Sequence, residues 1–148
     1  MKPPSVVRAE ASDACVARFA DRPMKWGAVD CWQITGHNLR TLGISTSIAK
    51  GIRYSSEIGA AKALRSLGFK TLTEYMDAFD VFRIPPAMAT QADVIGFECP
   101  GELWDVALAV CTGNGNVLGI GEAYGRALVM TPDLAAARVA WRCNPCRR

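Results

Sequence analysis

The residues best suited to chemistry lie in the stretch "WGAVDCW", which contains Trp26, Gly27, Asp30 and Cys31. Asp30 is a favourable helix N-cap, so we expect Cys31 in the first turn of a helix that runs to about Leu42. The partial positive charge at a helix N-terminus slightly favours a thiolate. Cys31 is therefore the candidate nucleophile.

A nucleophilic thiol needs a base, because a free thiol has a pKa of about 8.5 and is mostly protonated at neutral pH. The only histidine, His37, lies six residues after Cys31 on the same predicted helix. At about 100° per residue it sits about 120° around the helix axis from Cys31, so this helix does not bring the two together. We expect His37 to be exposed or packed. The alternatives are a distorted site that uses His37 as base, or a base from a partner chain.

The other cysteines allow several roles. Cys143 and Cys146 have the Cys-x-x-Cys spacing of metal ligands, and Cys99 and Cys111, near the ends of two predicted strands, could complete a site of four ligands. A redox-active pair or a facultative disulfide is an alternative. We favour free thiols and no cofactor, and we expect Cys15 to be a core residue.

Composition limits the class of protein. The chain has 148 residues, 50% of them hydrophobic, and a net charge of +3, which is ordinary for one globular domain and argues against nucleic-acid binding. We expect no secretory signal, no membrane span and folding in a cytosol, where cysteines stay reduced. Basic residues near the C-terminus suggest a solvated or partner-facing surface: Arg126, Arg138, Arg142, Arg147 and Arg148.

The order of patterns predicts helices first and then a mostly antiparallel sheet, an α+β domain. Helices are indicated in "SDACVARFADRP", from Asp30 to Leu42, in "EIGAAKALRSLG" after Ser55 or Ser56, and in "TLTEYMDAF" after Thr71. Strands are indicated in "ADVIGFE", "WDVALAVC", "NVLGIG", "RALVM" and "RVAWRC". Residues 1–148 form one predicted domain, with 1–11 as a flexible arm and 143–148 as a Cys/Arg tail.

The aromatic residues fit this arrangement. We expect Trp26 and Trp32, on either side of the Cys31 turn, to pack the helix onto the sheet. Trp104 and Trp141 fall in predicted strands, and Trp104 could line a cleft beside Asp105.

This order of motifs resembles the NlpC-type cell-wall peptidases, which have a papain-like fold. "WGAVDCW" matches their "WG…DC" motif, and "ADVIGF" matches a strand that begins with Gly-Asp, with Ala92 in place of the glycine before Asp93. "WDVALAV" stands where the family has a strand that carries the catalytic histidine. The resemblance implies Cys31 as nucleophile and a cleft lined by Trp26, Gly27, Asp30 and Trp104.

The resemblance also implies that the base is missing. The position of the catalytic histidine holds Asp105, and the third polar position falls near "VLGIGE", where Glu122 is the nearest polar residue. An ionised aspartate would raise the thiol pKa by repulsion. We therefore expect a degenerate site, with Cys31 as a relic or core residue; an active Cys31 is the alternative.

A closer resemblance is to small phage and prophage proteins that are related to these peptidases and are encoded among tail genes. It extends through "FADRPMKWGAVDC", "AAKALRSLGFKTL", "IPPAMATQADV" and "AWRC". It implies a structural component of the tail tip or baseplate that binds hub proteins. The alternatives are a murein endopeptidase that acts on peptidoglycan and a tail assembly factor. The implied location is the virion, after assembly in the host bacterial cytoplasm.

Overall fold

Four α-helices precede a six-stranded antiparallel sheet in the computed structural model, which describes residues 2–146. The helices are α1 (Pro4–Phe19), α2 (Cys31–Thr41), α3 (Glu57–Ser66) and α4 (Leu72–Asp77). The strands are β1 (Phe82–Ile84), β2 (Val94–Glu98), β3 (Val106–Cys111), β4 (Val117–Gly121), β5 (Arg126–Met130) and β6 (Ala137–Arg142). The predicted α+β class, with helices first and an antiparallel sheet after them, is confirmed.

Side-chain caps begin three of the helices as the sequence predicts. Asp30 accepts a hydrogen bond from the backbone N–H of Gln33 at the start of α2. Ser56 and Thr71 do the same at the starts of α3 and α4. Each cap satisfies a backbone donor that the first helical turn leaves without a partner.

The sheet has the strand order β1-β6-β2-β3-β4-β5, so the last strand returns to lie between β1 and β2. Alternate residues of the strands face the helices, and fully buried Val94, Val110, Leu118 and Trp141 form that side of the core. Because α2 packs against β3, the first turn of α2 is held over the middle of the sheet.

The prediction of a flexible arm over residues 1–11 is wrong for residues 4–11, which form the first half of α1. Ala11 is fully buried, and the Arg8 guanidinium lies 2.8 Å from the carboxylate of buried Asp93. Arg142 contacts the other oxygen of Asp93 at 2.9 Å. This ion triad fixes α1 to the sheet.

The predicted C-terminal tail also differs from the structure. Cys143 is fully buried, and the backbone N–H of Cys146 donates to the Leu42 carbonyl. Residues 143–146 are therefore packed against the end of α2, while Arg147 and Arg148 lie outside the described residues. Arg142 is part of the buried triad rather than a solvated surface.

Two of the tryptophans lie elsewhere than predicted. Trp32 packs on Tyr75 and Phe79, at and after α4, with ring centroids 4.8 and 5.4 Å away, so it joins α2 to α4 rather than to the sheet. Trp104 precedes β3 instead of lying in it. Among residues 2–146, no helix is long and apolar enough to cross a membrane.

Candidate functional site

A tight turn that is closed by Asp30 places Cys31 at the first position of α2. The buried carboxylate of Asp30 accepts hydrogen bonds from the backbone N–H of Gly27 at 2.8 Å and of Gln33 at 2.9 Å. The Tyr54 hydroxyl donates to the same carboxylate at 2.8 Å. Three donors therefore satisfy this buried charge and fix the direction in which α2 starts.

Gly27 supports this turn and does not line the adjacent cavity, contrary to the cleft-lining role implied for it. Its φ of +86° lies in the left-handed region, and a Cβ atom there would lie 2.1 Å from the Tyr54 carbonyl oxygen. Only glycine allows the loop that carries Tyr54 to approach this closely.

Cys31 is a half-buried residue with a free thiol. Burial raises the pKa of Cys31 to about 11, and the charges of Asp30 and Cys99 raise it further, while backbone hydrogen bonding at Leu108 and Trp32 lowers it. Burial thus outweighs the slight preference of a helix N-terminus for a thiolate. Cys31 is a neutral thiol near pH 7.

Asp105, which the sequence resemblance assigns to the position of a catalytic histidine, is bound to the start of α4. Its carboxylate accepts from the backbone N–H groups of Leu72 at 2.9 Å and Thr73 at 3.3 Å, and from the Thr73 hydroxyl. The charges that raise the pKa of Cys31 are those of Asp30 and Cys99, whereas Asp105 acts on Cys99. The pKa of Cys31 is therefore raised by the charge of Asp30 and not, as expected, by that of Asp105.

The imidazole of His37 faces α1. Its Nδ1 atom lies 3.5 Å from the Cys15 sulfur, and its ring meets Phe19 edge-on at 5.6 Å. Burial, followed by the charges of Arg18 and Arg40, lowers the pKa of His37. His37 is thus a packing residue against the core thiol Cys15, in agreement with the expected lack of contact with Cys31 and contrary to its alternative role as base.

A cavity of about 720 Å³ includes Cys31 in its wall, together with Trp26, Asp30 and Trp104. The two indoles stack with their centroids 6.2 Å apart, and Trp104 Nε1 donates to Glu57 at 3.1 Å. Because residues from both faces of β3 line the cavity, the volume includes space on either side of the sheet. The part near Cys31 is the candidate site.

The charges of this cavity have one sign. No Lys, Arg or His side chain of residues 2–146 lines it, and five carboxylates do so over the two sides of the sheet together: Asp30, Glu57, Glu98, Glu122 and Asp133. Glu98 is paired with Arg138 at 2.7 Å, which offsets its charge. The chain as a whole has a net charge of +3. The wall is otherwise mostly apolar and aromatic, so the cavity suits neutral or cationic groups and disfavours anions.

The remaining cysteines do not converge. Among residues 2–146, no three His, Cys, Asp or Glu side chains are placed to hold a metal ion. Cys143 is buried with its sulfur near the Trp141 carbonyl, whereas Cys146 is exposed near Asp80. The hypothesis of a four-cysteine site with Cys99 and Cys111 is wrong, and all six cysteines are free thiols.

The sequence did not single out Tyr54 or Glu57, which support the site from the loop before α3 and from its first turn. Tyr54 binds Asp30, 24 residues away, and Glu57 binds Trp104, 47 residues away. No local pattern marks either contact. The helix cap at Ser56 is the sole nearby signal, and it indicates a helix rather than a site.

Comparisons with known proteins give structural likenesses and a family. The chain is similar to the P60 domain from M. avium paratuberculosis antigen MAP1272c in its crystal structure, with 17% identity, a TM-score of 0.47, and coverage of 93% of this chain and 95% of that one. No curated protein matches the sequence. The family model described as a domain of unknown function, DUF6950, matches residues 7–143, nearly the whole chain. This protein therefore belongs to the DUF6950 family.

Proposed function

We propose that this protein is a non-catalytic structural component of a phage tail tip or baseplate, built on a degenerate peptidase-like fold. The tail context comes from the resemblance of the sequence motifs to phage proteins. The absence of catalysis is argued from the site itself.

The observation that carries the proposal is the state of the two residues at the catalytic positions. Cys31 is a protonated thiol, because burial raises its pKa to about 11. Asp105 has both carboxylate oxygens engaged by the first turn of α4. A thiol peptidase needs an imidazole to remove the thiol proton and then protonate the leaving amine, and neither residue can supply that.

The cavity suits binding rather than catalysis. Stacked Trp26 and Trp104 give it a flat aromatic wall, and exposed Glu57 and Glu122 add negative charge. A segment of a neighbouring tail protein with apolar side chains and a flanking Lys or Arg would complement this surface. We propose such a segment as its occupant.

The first test is the copy number of this chain in purified phage particles. A structural component is present in a fixed, small-integer ratio to the other tail-tip proteins, and it stays there after the tail is complete. A chain that is needed for tail construction but absent from the finished particle would be an assembly factor instead, and the structural proposal would be rejected.

The second test uses charge reversal in the cavity. Glu122→Lys should reduce incorporation into particles, because it places a cation in a wall that binds a cationic segment. The matched control is Glu102→Lys, an exposed residue outside the cavity wall. Equal incorporation of the two variants would argue against the cavity as the binding surface.

The position of Cys31 favours a second candidate, a murein endopeptidase that opens the cell wall. Cys31 begins a helix and lies in the wall of a cavity, as a nucleophile would. Under this hypothesis Cys31→Ala abolishes wall cleavage and lowers infection. Under the structural proposal the variant assembles and infects as well as the unchanged protein.

A further inference from the structure

A second pocket, on the side of α2 away from Cys31, carries charge of the opposite sign. It has a volume of about 330 Å³ and lies between α2 and the loop that follows it. Arg40 and Lys50 contribute to its lining, and no Asp or Glu of residues 2–146 does. We call it the basic pocket. Trp32 and Ile52 line both the basic pocket and the cavity that has Cys31 in its wall, so these side chains separate two spaces of opposite charge.

The Arg40 guanidinium has no carboxylate partner in the described chain. None of the five ion pairs among residues 2–146 includes Arg40 or Lys50. By contrast, the half-buried Arg8 and Arg142 are both paired with Asp93. Arg40 and Lys50 are exposed, so the basic pocket presents two solvated cations that no acidic side chain of residues 2–146 pairs with.

Helix spacing holds the guanidinium beside an indole. Trp32, Gly36 and Arg40 are four residues apart and share one face of α2. A Cβ atom on Gly36 would lie 3.0 Å from Arg40 Nη1 and 3.3 Å from Trp32 Cζ2. Because Gly36 has no side chain, the Arg40 guanidinium can lie close to the edge of the Trp32 indole.

Hydroxyl groups complete the polar side of the basic pocket. Thr46 and Ser47 line it, and the Ser45 and Ser47 hydroxyls are hydrogen-bonded to each other at 3.1 Å. Guanidinium, ammonium and hydroxyl donors around one space are the groups that bind carboxylate and phosphate oxygens. Trp32 and Ile52 add apolar surface beside them.

We propose that the basic pocket binds a small organic anion, with a carboxylate or phosphate group held by Arg40 and Lys50 and an apolar group packed on Trp32 and Ile52. The volume of about 330 Å³ fits one such molecule and is near the lower end of ligand pockets. This site is separate from Cys31 and does not depend on the proposed function.

The test is titration of the full chain with benzoate, phenyl phosphate and their neutral analogue benzamide, followed by NMR of the Trp32 indole N–H and the Arg40 Nε–H. We expect saturable shifts of both signals with at least one anion below about 10 mM, ten times the Kd of a millimolar site, and none with benzamide. Tighter binding of phenyl phosphate assigns phosphate as the ligand group, and tighter binding of benzoate assigns carboxylate.

Matched variants decide whether the basic pocket is responsible. Arg40→Gln, or Lys50→Gln if the first variant does not fold, should weaken anion binding about tenfold or more, because a charge-assisted hydrogen bond is lost. Arg65→Gln, at the end of α3 and outside the basic pocket, should bind as the unchanged protein does. The proposal is overturned by equal shifts with benzamide, by no saturable shift with either anion, or by unchanged affinity in the pocket variants.

Discussion

Asp105 stabilises the fold through hydrogen bonds to the start of α4. Its carboxylate binds the Leu72 and Thr73 backbone N–H groups, which are donors that the first turn of α4 cannot satisfy itself. Asp105 is thus a helix cap that lies outside α4 in the sequence.

We expect Asp105→Ala to lower the free energy of unfolding by about 1–2 kcal/mol, as for the loss of a helix cap. Asp105→Asn should cost less, because its amide oxygen can still accept from Leu72. Urea denaturation measures both values. The control is Glu102→Ala, an exposed neighbour that should change stability by less than about 0.5 kcal/mol. A loss no larger for Asp105→Ala than for the control would contradict the capping role.

The sequence predicts the contacts of the site between neighbouring residues but not those between residues far apart in the chain. The cap at Asp30 acts over three residues, so the place of Cys31 follows from the adjacent sequence. The contact of Asp30 with Tyr54 spans 24 residues, those of Asp105 with Leu72 and Thr73 span 33 and 32, and all depend on the complete fold. No local pattern encodes such contacts.

At the scale of elements, the difference between local and distant contacts explains why the first half of α1 was not predicted from the sequence. This half has no side-chain cap at Pro3, and the sequence indicated an arm there. The structure holds it through Arg8, which contacts Asp93 across 85 positions of the chain. The three-residue strand β1 was missed for a similar reason, because it pairs with the last strand, β6, far along the chain. The longer strands, with runs of Val, Leu and Ala between glycine turns, were predicted correctly.

We expect Arg8→Met to destabilise the protein by about 3 kcal/mol, because it leaves the buried Asp93 carboxylate with only one cationic partner. Hydrogen exchange should show faster exchange in the first half of α1. Lys2→Met is the matched control, since its ion pair with Glu10 is exposed on both sides and is worth about 0–1 kcal/mol. Equal effects of the two variants would show that the triad does not hold α1.

At the scale of the whole molecule, the cysteine thiols make the free energy of unfolding depend on pH. Burial raises the pKa of Cys15 and of Cys111 to about 12, and that of Cys31 to about 11, from an ordinary value of 9.0. A pKa that is higher in the folded state stabilises the fold fully below the unfolded value. That stabilisation is lost as the pH rises from 9.0 toward the folded values.

We therefore expect the free energy of unfolding to fall steadily above pH 9.0, with up to about 1.4 kcal/mol per pH unit from each such thiol. Cys15→Ala should reduce this slope, even though the substitution lowers stability at neutral pH by leaving a cavity. Cys146→Ala, at an exposed position, should leave the slope unchanged. Denaturation at a series of pH values measures it, and an unaltered slope in Cys15→Ala would refute the linkage.

The most direct test of the central claim is the rate of Cys31 alkylation against pH, measured by mass spectrometry of the tryptic peptide "WGAVDCWQITGHNLR", which contains no other cysteine. A non-catalytic site predicts slow labelling at neutral pH and a rate that is still rising at pH 9.0, because burial raises the thiol pKa to about 11. Fast labelling with an inflection below about pH 7 would mean that a cation stabilises the thiolate. That result would contradict the structural account and make Cys31 an active nucleophile.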